Sequence, residues 1–325
     1  MKFGIVGAGA IGAYVGAKMA RAGADVTLFA RGPHLRAMQE RGVRVKGEEE
    51  FEARVRAVGT LEEMGACDVV ILGVKAHSLT DLAPRLSPLM GPETVVVSTQ
   101  NGVPWWFFQG FGGEWEGMTL ERVDPGAVIA GAIEAGRVVG SIVYFSSEIV
   151  EPGVVQHVEG NRISLGEPDG TRSDRLKGIA ESLIAAGLRC PVTVRIRHEI
   201  WVKILGNASF NPISALTGAT LVKMARDADV RGVVRGMMEE AACVGARLGI
   251  ELPVSIEQRI AGAEKVGEHK TSMLQDLEAG RPLELEAVVG AVLEMGERMG
   301  IAMPYTRTVY SCTKLLAAVK KEQRG

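Results

Sequence analysis

The residues best placed to do chemistry stand in one run, Ile200-Trp201-Val202-Lys203-Ile204-Leu205-Gly206-Asn207-Ala208-Ser209-Phe210-Asn211-Pro212. Lys203, Asn207 and Asn211 recur at i, i+4 and i+8, and at 100° per residue a helix gathers them within an arc of about 80°. Most positions between them are apolar. The result is a polar line on an otherwise buried helix, which is costly unless something satisfies it. A structural hydrogen-bond network would do so, but a polar ligand is the better fit. Lysine is especially costly to desolvate, and such lysines often carry catalysis.

A second constellation opens the chain. Gly7-Ala8-Gly9-Ala10-Ile11-Gly12 follows a strand and begins a helix. Gly7 makes the tight turn, Gly9 lets the backbone approach a pyrophosphate, and Gly12 lets the helix pack on the strand. The free N–H groups and positive end of the helix then face the phosphates. A glycine turn alone is a weak signal, but here the strand–turn–helix–strand context is complete. Dinucleotide sites selective for NAD carry Asp or Glu at the tip of the second strand, on the ribose 2′-hydroxyl. This chain has Phe29-Ala30-Arg31-Gly32 there, and Asp25 lies at the wrong end of the strand. A guanidinium at Arg31 suits a 2′-phosphate, so NADPH is the expected cofactor, with Lys75 a second cation for the same phosphate. Asn101 follows an apolar run, where ligands bind in doubly wound sheets, but Asn101-Gly102 reads equally well as a turn. By residue type alone, Ser272 is an ordinary helical serine and Glu284 a first-turn acid that complements a helix dipole.

These groups need a framework, and the first half supplies a parallel sheet. Lys2–Val6 and Asp25–Ala30 read as strands around a helix over 11–22. Continuous apolar runs follow over 68–74 and 94–99, apolar on both faces as in a covered parallel sheet. The runs 128–133, 138–145, 154–158 and 162–165 alternate more and are expected to extend the sheet with antiparallel strands. A helix over 173–186 and a strand near 192–194 close this half. From about residue 195 strands vanish and helical periodicities cover 196–217, 228–248, 253–279 and 282–299, with a last helix after Pro304. The expected fold is therefore α/β: a Rossmann-type doubly wound sheet with an antiparallel extension over 1–194, then an all-helical substrate and catalytic domain over 195–325.

Composition excludes other classes. The 325 residues are 46% hydrophobic and 23% charged, enough apolar material for two cores. Lys+Arg 37 against Asp+Glu 39 gives a net charge of −2, which offers no global field to nucleic acid. No apolar run approaches the ~18 residues of a membrane span, and the apolar N-terminus breaks at once into glycines rather than forming a leader. Cys67, Cys190, Cys243 and Cys312 are scattered, and the five histidines lack metal-like spacing, so no metal is expected and the protein reads as reduced and cytoplasmic. Glycine is the outlier at 41 residues, which implies many tight turns and close backbone approaches.

Taken together, Gly7–Gly12, Arg31, Val74-Lys75-Ala76, Asn101-Gly102, the 201–212 segment, Ser272-Met273-Leu274-Gln275-Asp276 and Glu284 resemble the ketopantoate reductase (2-dehydropantoate 2-reductase) family over nearly the whole chain. The W-x-K-x-x-x-N-x-x-x-N-P and S-M-L-Q-D segments are the specific ones. The resemblance implies Lys203 as general acid, with Glu284 supporting it close to the substrate and counted among the cofactor contacts. It implies Asn207, Asn211 and Ser272 as ligands of the substrate's hydroxyl and carboxylate, and Asn101 as a bridge between substrate and cofactor. The implied reaction takes a small 2-oxo acid to pantoate, a precursor of pantothenate and coenzyme A. One segment departs from the compact family pattern. Residues 103–115 hold three of the four tryptophans, and a short aromatic segment is most often a satellite core. Its position suggests instead a cover over the cleft or a subunit contact, which leaves open a bulkier 2-oxo acid as substrate. A non-catalytic NADPH sensor is the alternative from another class, disfavoured by the intact polar set. The glycine- and alanine-rich helices suit close subunit packing, and a homodimer is expected.

Overall fold

The alternation of apolar runs with helices in the first half builds one sheet. The computed structural model describes residues 1–323, so the last two residues of the segment expected to be helical lie outside it. Nine strands form in chain order: β1 (Lys2–Val6), β2 (Asp25–Phe29), β3 (Val43–Lys46), β4 (Phe51–Ala53), β5 (Arg56–Val58), β6 (Cys67–Leu72), β7 (Met90–Ser98), β8 (Val138–Glu151) and β9 (Val154–Gly166). Their spatial order is β4-β3-β9-β8-β7-β6-β1-β2-β5. The half from β5 to β7 is parallel throughout, with Phe3 opposite both Val26 and Val69. β8 joins β7 in parallel and returns antiparallel as β9. This is the doubly wound sheet with an antiparallel extension. β1, β2 and β6 are buried on both faces, as their unbroken apolar runs require.

The helices are α1 (Ala10–Arg21), α2 (Gly32–Arg41), α3 (Leu61–Met64), α4 (Leu79–Leu82), α5 (Val128–Ala132), α6 (Asp174–Ala185), α7 (Ile196–Thr217), α8 (Leu221–Arg226), α9 (Ala228–Arg247), α10 (Ile256–Val266), α11 (Ser272–Glu278), α12 (Ala291–Arg298) and α13 (Pro304–Glu322). A π-helical turn, Glu286–Gly290, precedes α12. By contacts the chain forms two compact units. The first comprises 1–100, 105–119 and 126–196; the second comprises 101–104, 120–125 and 197–323 of the described residues.

Several sequence expectations are corrected. The run 128–133 is the short helix α5 rather than a strand, preceded by Gly126 at φ 65° and Ala127 at φ 56°. A short apolar run cannot by itself distinguish the two. The runs 154–158 and 162–165 are a single strand, and the apparent break is an irregularity at Gly160 (φ 73°), where a Cβ would lie 2.4 Å from the Tyr144 carbonyl. Residues 192–194 make only an isolated bridge, Val192 to Leu165. The helix over 253–279 is two, α10 and α11, with Gly267 at φ 85° ending the first. The helix expected over 282–299 begins only at Leu285 and opens with the π turn, so Glu284 precedes it and does not stand in its first turn. The short strands β3, β4 and β5 were not legible. The first half of the aromatic segment packs inward: Trp105, Trp106, Phe107 and Phe108 are all buried, and the Trp106 indole N–H donates to Ser98 Oγ at 2.9 Å, while Phe111 and Trp115 stay partly exposed.

Candidate active site

In the first unit, the turn between β1 and α1 does what its glycines predict. Gly7 adopts φ 101°, and a Cβ at Gly12 would lie 2.2 Å from the Gly7 carbonyl. At Gly9 a Cβ would meet only the Gly73 carbonyl, at 3.9 Å, so its face is open. α1 has no acidic residue in its first turn and no side-chain cap, which leaves its N–H groups and dipole to an anion. Gly7, Ala8 and Gly9 line a cavity of about 590 Å³ together with Phe29, Ala30, Arg31 and Val74. Ala10, Ile11 and Gly12 of α1, and Lys75 next to Val74, are not part of the lining. Glu151 also lines the cavity, paired with Lys46 at 3.6 Å. The donor set, open at Gly9 and with Arg31 at the tip of β2, fits a dinucleotide.

Two residues of this cradle escaped the sequence reading. His34 of α2 lines the cavity, and its Nδ1 accepts the Gly153 N–H at 2.9 Å, which leaves the ring proton on Nε2. Nε2 lies beside the Ala8 carbonyl without good hydrogen-bond geometry. Burial lowers the His34 pKa, and the Ala8 carbonyl opposes that shift. Gln100, at the end of β7, donates through Nε2 to the carbonyls of Leu72 (2.8 Å) and Val74 (2.9 Å), fixing the turn after β6.

In the second unit, α7 presents the polar line. Trp201 anchors the helix: it is 0% exposed and donates to the Ala241 carbonyl of α9 at 3.1 Å, over Gly245, where a Cβ would lie 2.4 Å from the indole nitrogen. Serines elsewhere on α7 are internally satisfied, Ser209 by the Leu205 carbonyl (2.9 Å) and Ser214 by that of Ala219 (2.7 Å). The Asn207 and Asn211 amides make no such bond among the described residues, although Asn211 is only 7% exposed. A buried amide of this kind is suited to a ligand.

Lys203 Nζ donates to Asn101 Oδ1 at 2.8 Å, and Asn101 Nδ2 donates to Glu284 Oε2 at 3.4 Å. Burial pulls the Lys203 ammonium down to about 8, against the pull of the Glu284 carboxylate, which raises it. Asn101 reaches this position because Gly102 (φ 86°) packs on the π turn, where a Cβ would lie 2.3 Å from the Ala287 carbonyl, and the Val103 N–H donates to that same carbonyl at 2.9 Å. The π turn is itself held by Glu286, which accepts from Tyr310 Oη (2.7 Å) and Arg122 (3.3 Å). π turns are frequent at functional sites. The structure thus brings Lys203, Asn101 and Glu284 together, with Asn207 and Asn211 on the same helix face. Ser272 stands exposed at the start of α11 and takes no part in these bonds; the buried carboxylate of its motif, Asp276, is held by Arg281 at 2.9 Å.

Two families of sequence describe this chain. Residues 3–105 match "Ketopantoate reductase PanE/ApbA", and residues 195–317 match "Ketopantoate reductase PanE/ApbA C terminal". A 2-dehydropantoate 2-reductase of Mesorhizobium japonicum is 51% identical over 98% of each chain. One of Archaeoglobus fulgidus is 32% identical over 95% of this chain and 96% of its own. The crystal structure of a 2-dehydropantoate 2-reductase from Geobacter metallireducens superposes with a TM-score of 0.85 at 28% identity, covering 97% of this chain and 100% of the other.

Proposed function

The chain belongs to the ketopantoate reductase family and is an oxidoreductase acting on CH–OH donors, and we propose that it reduces ketopantoate to pantoate with NADPH. The line from Lys203 through Asn101 to Glu284 carries this reading. When bound, a nicotinamide cofactor would supply the hydride for the C2 ketone. Negative charge then builds on the ketone oxygen, and Lys203 holds its proton at Nζ for that atom. Asn101 fixes the direction of the ammonium through its carbonyl oxygen. Glu284 favours the protonated form of Lys203, which burial alone would make a poorer proton carrier at neutral pH. Asn207 and Asn211 offer neutral amides that orient substrate hydroxyl and carboxylate without competing charge. Ser272, by its place in the family motif, is a further contact.

In the cradle, Gly7, Gly9 and the α1 N-terminus would hold the pyrophosphate. Arg31 would take the 2′-phosphate, and the absence of an acid at the tip of β2 supports NADPH over NADH. Lys75 follows Val74 close to this site and is the second candidate cation. The pathway role is supply of pantoate for pantothenate and coenzyme A, in a cytoplasmic homodimer.

The test follows NADPH absorbance with ketopantoate and a panel of bulkier 2-oxo acids, for the native protein and Lys203→Ala. Turnover of ketopantoate, a fall in kcat of about 10²–10⁴ in the variant, and retained NADPH binding are expected. Turnover of a bulkier acid alone would reassign the substrate, and NADPH binding without turnover of any acid would refute the enzymatic reading.

A further inference from the structure

The π turn before α12 changes which backbone groups pair, and the site uses the group it releases. In an α-helix the Ala291 N–H would donate to the Ala287 carbonyl. Here it donates to the Glu286 carbonyl, five residues back, and the Ala287 carbonyl accepts the Val103 N–H at 2.9 Å. Val103 is two residues from Asn101, whose Oδ1 receives the Lys203 ammonium at 2.8 Å. The π register is therefore a condition of where Asn101 stands. π turns are rare interruptions of α-helices, so side-chain contacts must favour this one over the α register.

Three side chains supply those contacts. The Glu286 carboxylate lies over Gly290, where a Cβ would stand 2.5 Å from Oε2, 3.0 Å from Arg122 Cδ and 3.4 Å from the Tyr310 ring. Tyr310 of α13 donates to Glu286 Oε1 at 2.7 Å, and Arg122 donates to Oε2 at 3.3 Å. The Arg122 guanidinium also sits over the Tyr310 ring, 4.9 Å from its centroid. Lys314 approaches Oε1 only to 3.9 Å. Arg122 is itself anchored by its backbone: the Glu121 and Arg122 N–H groups donate to the buried Glu294 carboxylate of α12 at 3.0 and 2.9 Å.

We propose that Arg122 and Tyr310 are positioning residues for proton delivery: they hold Glu286, Glu286 holds 286–290 in the π register, and that register holds Asn101 on Lys203. The inference rests on the reading of the chain as a 2-oxo acid reductase with Lys203 as its acid. Without the network the turn relaxes to the α register, the Ala291 N–H returns to the Ala287 carbonyl, and Val103 loses its acceptor. Asn101 then no longer directs the ammonium.

Initial-rate kinetics with NADPH and ketopantoate test this, at a temperature where circular dichroism shows each variant folded. Arg122→Leu is expected to lower kcat about 10-fold and to leave KM for NADPH at the native value. Arg122→Lys restores part of the loss, since it returns the charge. Tyr310→Phe keeps the ring, removes one hydroxyl and lowers kcat about threefold. Gly290→Ala removes no polar atom, yet it lowers kcat because its Cβ displaces the Glu286 carboxylate. The decisive measurement is a double-mutant cycle: added to Asn101→Ala, Arg122→Leu or Tyr310→Phe lowers kcat no further. Additive losses in that cycle, or native kcat in both Arg122→Leu and Tyr310→Phe, would overturn the positioning role. A native protein that reduces none of the 2-oxo acids overturns the proposed function itself, whereas native turnover with additive losses removes the positioning role alone.

Discussion

Glu284→Gln removes one charge from the Lys203 cluster and leaves its hydrogen-bond geometry intact, because the amide oxygen still accepts from Asn101. The ammonium lies 2.8 Å from Asn101 Oδ1, and Asn101 Nδ2 lies 3.4 Å from Glu284 Oε2. With the width of the amide between them, the two charges are at most roughly 8 Å apart, which at an effective dielectric of about 20 corresponds to about 2 kcal/mol. That is about 1.5 pH units in the pKa of the lysine, and screening brings the expectation nearer to one. The sign is fixed: burial lowers the Lys203 pKa and Glu284 raises it, so losing the carboxylate lowers it further, from about 8 toward about 7. A general acid must be protonated, so the rate of the native enzyme falls as pH rises through about 8. In Glu284→Gln that limb moves acid-ward by about one pH unit, and at pH 7.5 the protonated fraction drops from about three-quarters to about one-quarter. Profiles of kcat/KM against pH, with NADPH and ketopantoate, measure it directly. A limb that stays in place, or moves to higher pH, would refute the electrostatic role given to Glu284.

Arg31→Ala is expected to raise KM for NADPH about 10- to 100-fold with little change for NADH, by loss of a charge-assisted contact; equal effects on both cofactors would refute the 2′-phosphate assignment. Trp106→Ala deletes a side chain that is 1% exposed and bonded to Ser98, so denaturant unfolding should show a loss of about 3–5 kcal/mol, whereas a mobile cover would give altered KM at unchanged stability. His34 accepts from Gly153 only while Nδ1 is unprotonated, and its pKa is lowered in the folded protein. Its contribution is therefore present above the unfolded pKa of about 6.5 and is lost as pH falls through the lower folded value. Thermal melts at acid pH should show this loss in the native protein and a smaller one in His34→Gln.

How much of this was legible in the sequence depended on whether a signal was local. β1 and α7 have the bounds that periodicity gave, Lys2–Val6 and 196–217, because each announces its burial along its own length. The glycine turn was readable for the same reason. β3 was not: it is four residues long and pairs with β9 more than a hundred residues later, a partnership invisible in a local pattern. The π turn at 286–290 was also hidden, since its effect on register is stabilised by Glu286, Tyr310 and Arg122 from three separate segments. Within the site, the helical spacing of Lys203, Asn207 and Asn211 was sufficient to place them together. Glu284 looked like a dipole-complementing acid until Asn101 joined it to Lys203. His34 carried no local signal, because what defines it is a contact with a distant backbone position, Gly153.

The abundance of glycine, which composition could only flag, has a specific meaning around the catalytic groups. At Gly12 and Gly102 the atom a Cβ would strike is a backbone carbonyl, Gly7 at 2.2 Å and Ala287 at 2.3 Å. Neither can move without dismantling its element, so these two glycines are conditions of the architecture: one closes the cofactor turn on its helix, the other lowers Asn101 onto the π turn. At Gly206 the atom struck is the tip of a flexible side chain, Arg259 Nη2 at 2.6 Å, and the helix itself would tolerate alanine. A glycine kept where the backbone does not require it is explained by what it admits, and at this position it admits the end of the Arg259 side chain.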